Sequence, residues 1–116
     1  LLHFVSKIPV AIAMSKQGGY NNRQPRLQEA SLTGFGHRAL AAHENTIEAF
    51  PLFAAGILMA LLTQAEQSSI DMLAISFVIA RLLYLLFYLL DINLLRSLTW
   101  FVGYLSSLAL IALPLL

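Results

Sequence analysis

Residues 37–64, HRALAAHENTIEAFPLFAAGILMALLTQ, form a long and mostly apolar segment that carries its charged residues in its first half. With a rise of 1.5 Å per residue, a helix of this length would extend roughly 42 Å. The hydrocarbon core of a bilayer is only about 30 Å thick. The stretch therefore predicts a membrane-crossing helix whose polar first turns stand among the lipid headgroups.

The rest of the chain has the same apolar character. Of its 116 residues, 59% are hydrophobic and 11% are charged, and the mean hydropathy of +0.75 is too high for an ordinary soluble domain. Further helices are predicted over residues 70–90 and 94–116, and residues 1–14 resemble the tail of a first helix whose start is missing. We therefore expect one all-α domain over residues 1–116, an integral membrane four-helix bundle with a truncated first helix.

The polar residues 15–36 contain GG, NN, QPR and TGFG clusters, which predict an ordered loop. Basic residues lie in or beside this first loop and the third loop. The charged residues in or beside the second loop, Glu66 and Asp71, are both acidic. By the positive-inside rule, we expect loops one and three to be cytoplasmic. The basic residues concerned are Lys16, Arg23, Arg26, Arg38 and Arg96.

Composition also excludes several classes of function. A formal net charge of +1 without basic runs gives no surface for nucleic acid. Because the chain has no cysteine, any thiol chemistry must come from a bound ligand. His43 and Glu44 begin a zinc-binding HExxH pattern, but Ile47 occupies the second histidine position, so we predict no metal site.

Polar residues inside membrane-crossing helices are costly, so they indicate function or a required pairing. At 100° per residue, each of two helices places polar groups on one stripe, and His43 points well away from the first stripe. On the second predicted helix the stripe is Arg38, Ala41, Asn45, Glu48 and Leu52. On the third it is Phe77, Arg81, Tyr84, Tyr88 and Asp91.

The depths of the two stripes match. Glu48 and Arg81 each lie about 15 Å from their helix ends, and Asn45 and Tyr84 each lie roughly 10 Å deep. An unpaired charge at this depth would cost at least about 2.5–3.5 kcal/mol, so we expect Glu48 and Arg81 to form an ion pair.

Arg96 and Ser97 open the fourth predicted helix at the same membrane face, which predicts a polar, positively biased cavity there. Three plainer interpretations stay open: the ion pair could serve packing alone, the tyrosines could be interfacial or core aromatics, and Arg96 could be an inside-facing anchor.

Three segments together resemble a known family. RALAAHENTIEAFPLF (38–53), ARLLYLLFY (80–88) and RS (96–97) are similar to the membrane-associated proteins of eicosanoid and glutathione metabolism, the MAPEG family, and GYNNRQPR (19–26) looks like the loop of a less characterised subgroup. The resemblance implies homotrimers of four-helix subunits with glutathione held between neighbouring subunits. It also implies glutathione as a cosubstrate for transferase or peroxidase chemistry on lipophilic electrophiles or hydroperoxides.

The resemblance assigns roles residue by residue. Asn45 and Glu48 match positions that hold glutathione's polar groups, and Tyr84 and Tyr88 match tyrosines that contact it. Arg96 is the candidate for the arginine that stabilises the thiolate. Arg38, Arg81 and Ser97 complete the candidate binding residues. A free thiol has a pKa of about 8.5, and a fixed guanidinium beside the sulfur lowers that pKa.

The chain departs from the family at two positions. Ala41 stands where several members of the family have an arginine, and Glu44 stands where some have one. The carboxylates of glutathione would therefore lack cationic partners at these two positions. Three hypotheses follow. The first is a glutathione-dependent enzyme, and the second is a non-catalytic protein of the same fold that binds a lipid or amphiphilic anion. The third is an ion or solute pathway, which four short helices serve poorly.

Overall fold

The computed structural model describes all 116 residues, and its regular structure is entirely helical. The elements are α1 (Leu2–Lys16), α2 (Pro25–Ala30), α3 (Phe35–Leu62), α4 (Gln67–Leu89) and α5 (Asn93–Ala112), followed by a 3₁₀ turn (Leu113–Leu115). Three segments are long and apolar enough to cross a membrane: Phe35–Leu62, Gln67–Leu89 and Asn93–Leu115. The expectation of an all-helical integral membrane protein is therefore confirmed.

The first loop contains a helix that the sequence analysis did not predict. Pro25 occupies the first turn of α2, where its missing N–H costs nothing and its fixed φ favours the helix. Gln28 on α2 holds the loop together, because its Nε2 donates to the carbonyls of Met14 and Gly19 and its Oε1 accepts from the N–H of Asn21. The loop is therefore ordered through the side chain of a helix within it.

Lys7 on α1 forms a salt bridge with Glu29 on α2. A lysine on an apolar helix needs either a partner or a route to the membrane interface. The sequence pattern did not reveal the partner, because the two residues are 22 positions apart and on separate elements. The salt bridge fastens α2 to α1.

The bundle is organised around three small apolar clusters instead of one large core. The first joins α1 to α3 and the loop, the second joins α3 to α4, and the third lies at the opposite end of α3. Their buried members are Val10, Met14, Leu32 and Ala39; Ala42, Tyr84 and Leu85; and Ala60, Ile70 and Leu110. Only 20 of the 116 residues are buried, and most large apolar side chains face outward, as expected of helices that contact lipid.

α3 and α5 approach each other closely at Gly56. A Cβ atom added there would lie 2.9 Å from Leu110 Cβ and 3.0 Å from the carbonyl oxygen of Ser107. Small residues allow backbones in membranes to pack at this distance. Gly56 therefore lies at a helix contact, and Ala60, one turn further along α3, is fully buried.

Candidate functional site

A cavity of about 180 Å³ lies between α3, α4 and α5, and we call it the inner cavity. α3 contributes Asn45, Glu48 and Leu52 to its wall, and α4 contributes Phe77 and Arg81. These residues belong to the two stripes that the sequence predicted. Trp100, Gly103, Tyr104 and Ser107 of α5 complete the lining.

A second cavity of about 240 Å³, the outer cavity, lies nearer the end of the bundle where α4 turns into α5. Its lining is Tyr84, Tyr88, Arg96, Ser97, Trp100 and Phe101. Trp100 lines both cavities, and its ring stacks on Tyr104 with centroids 5.2 Å apart. Sequence reasoning missed Trp100, although its position one helical turn after Arg96 places it on the same face of α5.

Arg81 lies in the wall of the inner cavity with only 3% of its surface exposed. Its Nη2 donates to the hydroxyl of Thr46 over 3.3 Å, and its Cζ lies 4.2 Å from the centroid of the Tyr84 ring. The guanidinium thus has one neutral acceptor and one aromatic face. Thr46 is a second residue that the sequence analysis did not single out.

The predicted ion pair between Glu48 and Arg81 is wrong within the subunit, whose one salt bridge joins Lys7 to Glu29. Both residues do reach the same cavity. The helical periodicity gave the direction and depth of each side chain, but it carries no information on the distance between the two helices. At this level Arg81 donates to Thr46 of α3 instead, and Glu48 and Arg81 line the same cavity without forming a salt bridge.

Arg96 stands in the wall of the outer cavity, half-buried and without an acidic partner. Its Cζ lies 4.6 Å from the centroid of the Tyr88 ring, and that ring meets the Tyr84 ring edge-on at 5.6 Å. The aromatic rings hold the guanidinium without neutralising it. The cavity therefore contains an uncompensated positive charge that an anion could approach.

Three buried polar atoms have no hydrogen-bond partner: Asn45 Oδ1, Arg38 Nε and Arg81 Nε. Buried polar atoms are almost always paired, so such a group indicates an interaction that the isolated subunit lacks. Arg38 is the one of the eight candidate site residues that lines neither the inner nor the outer cavity. Its Nη2 donates instead to the carbonyl of Leu89 over 3.3 Å.

His43 points away from the inner cavity, as the helical periodicity predicted. Its Nδ1 lies 2.8 Å from the hydroxyl of Ser6 on α1. Asp91, which the same periodicity placed on the α4 stripe, instead lies beyond the end of α4 with a φ of 60°. It forms part of the turn between α4 and α5.

No curated protein and no solved structure matches the chain significantly. The family model described as "MAPEG family" matches residues 1–116, which is the whole chain. That match agrees with the three apolar membrane-crossing segments and with the resemblance carried by residues 38–53 and 80–88. The protein is therefore a member of the MAPEG family.

Proposed function

We propose that this protein is a glutathione-dependent membrane enzyme, a transferase or peroxidase acting on a lipophilic electrophile or hydroperoxide. The observation that carries the proposal is the guanidinium of Arg96, which lines the outer cavity beside Tyr88 and has no acidic partner. A fixed cation in a cavity with aromatic walls stabilises a thiolate over a thiol. Arg96 is therefore the residue that we expect to activate the sulfur.

The thiolate would attack the electrophilic carbon of a transferase substrate, forming a C–S bond while the electron pair of the broken bond leaves with the departing atom. With a hydroperoxide it would attack the O–O bond, giving a sulfenic acid and an alcohol after protonation. The thiol of a second glutathione then attacks the sulfur of the sulfenic acid, so that the S–O bond breaks, water leaves and the disulfide forms. Both reactions need the sulfur at a position that an apolar substrate can reach from lipid.

The inner cavity offers polar atoms to hold the remainder of glutathione. Asn45 Oδ1 and Arg81 Nε are buried without partners, and Glu48 is available to an ammonium or amide group. Because Trp100 lines both cavities, a ligand anchored among these residues could extend its thiol toward Arg96. This arrangement supports one elongated site instead of two separate ones.

We further propose that a neighbouring subunit completes the site, in a homotrimer. Glu48 is exposed on a membrane-crossing helix, where an uncovered carboxylate would cost about 2.5–3.5 kcal/mol. Each cavity is also smaller than the roughly 300–1,000 Å³ typical of small-molecule sites. A second subunit packed over Glu48 would reduce the first cost and enlarge the enclosed volume.

A second candidate function is a non-catalytic protein that binds a lipid or an amphiphilic anion in the same cavities. Ala41 favours it, because this half-buried residue brings no cation to the polar stripe of α3. Glutathione's carboxylates would then have fewer partners than in other family members.

One titration separates the two candidates. Purified protein is mixed with glutathione while the ultraviolet absorbance of the thiolate is followed, and the measurement is repeated with Arg96→Ala. We expect a thiolate signal in the parent protein that falls about tenfold or more in the variant, because a neighbouring cation changes a pKa by about 1–3 units. Arg23→Ala, an exposed arginine of the first loop, is the matched control and should leave the signal unchanged.

The absence of a thiolate signal in the parent protein would refute the enzyme and leave the binding protein. A signal that survives Arg96→Ala would keep glutathione as the ligand and remove Arg96 from its assigned role. The proposed trimer is tested separately by the mass of the protein in detergent, measured by light scattering. A monomeric mass would contradict it.

A further inference from the structure

A third cavity lies between α1, α2 and α3, on a different side of α3 from the inner cavity, and we call it the interfacial pocket. Its volume is about 130 Å³, several times the roughly 30 Å³ that a water molecule occupies in the liquid. Charged and titratable side chains dominate its lining: Lys7, Arg26, Glu29, His43 and Glu44. Leu40 and Ile47 supply its apolar wall.

The charges of the interfacial pocket leave one cation and one anion free. Lys7 and Glu29 neutralise each other in a salt bridge. Arg26 and Glu44 form no salt bridge and no side-chain hydrogen bond within the subunit, and both are exposed. An occupant that satisfies the pocket would therefore carry a negative and a positive group together.

His43 adds a hydrogen-bond acceptor. Ser6 has one hydroxyl proton; when it is donated to the carbonyl of His3 over 3.0 Å, the contact of 2.8 Å with His43 is donated by the Nδ1–H of the imidazole. The tautomer assigned by these two bonds carries its proton on Nδ1 and leaves Nε2 as an acceptor. The pocket thus prefers a positive group that still has hydrogens to donate.

The depth of the pocket matches the boundary between headgroups and hydrocarbon. α3 begins at Phe35, and Glu44 lies nine residues further on, which is about 13.5 Å along the axis. The 28 residues of α3 extend about 12 Å beyond a hydrocarbon core of about 30 Å, so the first turns of the helix stand in the headgroup layer. Ile47, 44% exposed, lies one turn deeper and faces the region of glycerol and acyl chains.

We propose that the interfacial pocket binds the headgroup of a phosphoethanolamine lipid. The phosphate pairs with Arg26, and the ammonium donates to Glu44 and to the Nε2 of His43. The acyl chains leave along Leu40 and Ile47. This site lies outside both cavities of the proposed enzyme, and the proposal does not depend on glutathione.

The same geometry predicts discrimination among headgroups. A phosphocholine lipid has the same charges, but its quaternary ammonium has no hydrogen to donate to His43 or Glu44. A phosphoglycerol lipid has donors but no positive charge, so the carboxylate of Glu44 stays unpaired beside a second anion. The ethanolamine lipid should therefore be retained in preference to both.

The experiment reconstitutes the full chain in nanodiscs with equal amounts of the three lipids, and native mass spectrometry then counts the lipids that remain bound after release. We expect the parent protein to retain the ethanolamine lipid about tenfold more than either competitor, which corresponds to about 1.4 kcal/mol. Arg26→Gln and Glu44→Gln should each reduce its retention about tenfold. Arg23→Gln removes an equal charge from the same loop outside the pocket, so its retention should equal that of the parent.

Equal retention of the three lipids by the parent protein would overturn the proposal, as would an equal loss in Arg23→Gln and Arg26→Gln. The last measurement is a competition experiment with water-soluble glycerophosphoethanolamine, which has the same headgroup but no acyl chains. If it displaces the lipid at comparable concentration, the pocket binds a free phosphate ester, and the lipid assignment is wrong. If it does not, the acyl chains contribute as proposed.

Discussion

Replacing Thr46 with valine tests how a buried arginine is accommodated between α3 and α4. Valine has nearly the shape of threonine but no hydroxyl, so the substitution removes the one hydrogen bond between Arg81 and the helix opposite. The cation–π contact with Tyr84 remains. The Thr46 hydroxyl also donates to the carbonyl of Ala42 over 2.8 Å, so a double-mutant cycle with Arg81 is needed to separate the two hydrogen bonds.

Two ranges of hydrogen-bond free energy limit the expected effect of Thr46→Val on stability. Hydrogen bonds to charged groups contribute about 1.5–3 kcal/mol, whereas side-chain hydrogen bonds between membrane helices average about 0.6 and reach about 1.7 kcal/mol. The distance of 3.3 Å is longer than the usual value of about 2.9–3.0 Å, which favours the lower part of the first range. We expect Thr46→Val to reduce the free energy of unfolding by about 1.5 kcal/mol.

The assay is unfolding in SDS at one protein concentration, followed by the fluorescence of Trp100, the only tryptophan. Arg81→Met and the double variant complete a mutant cycle, in which we expect a coupling of about 1–1.5 kcal/mol between Thr46 and Arg81. The same cycle with Glu48→Gln should give a smaller coupling, because no ion pair joins Glu48 to Arg81. Additivity of Thr46→Val and Arg81→Met within about 0.5 kcal/mol would refute the reasoning.

Three further predictions concern packing, the first loop and topology. Gly56→Ala should destabilise the protein by about 1–3 kcal/mol in the same assay because its Cβ would meet α5 at 2.9 Å, whereas Gly103→Ala, with 3.5 Å of room, should cost far less; equal costs would contradict the close contact. Gln28→Leu should raise the rate of trypsin cleavage in the first loop several-fold, since three hydrogen bonds are lost, and an unchanged rate would show that they do not order it. Because the chain has no native cysteine, Asn22→Cys should be protected from an impermeant thiol reagent outside the cell and Ser68→Cys should be labelled; the reverse pattern would invert the predicted topology.

Helical periodicity and hydropathy were sufficient to predict the membrane-crossing helices and the direction of most polar side chains on them. The 3.6-residue repeat placed Asn45, Glu48 and Leu52 on one face of α3, and these residues do line one cavity. It also separated His43 from them, and His43 contacts α1. Such predictions succeed because the direction of a side chain on a straight helix depends only on its position in the repeat.

The interactions that failed or were missed depend on distances between elements. Arg81 donates to Thr46 and forms no salt bridge with Glu48, and helical periodicity gives the direction of each side chain but not the distance between two helices. Glu29 as the partner of Lys7 depends on how the first loop folds back, which no repeat encodes. α2 did have a local signal, since Pro25 is well placed to start a helix, but six residues are too few for a hydrophobic period to emerge.

The contact at Gly56 has a consequence for the inner cavity, because Ser107, whose carbonyl oxygen lies against Gly56, also lines that cavity. Glu48, which lines the same cavity, lies eight residues or about 12 Å from Gly56 along α3. A methyl group added at Gly56 would force α3 and α5 to shift relative to each other, and that shift would change the space around Asn45 and Glu48. A residue that touches no ligand would in this way set the size of the molecule that the protein accepts.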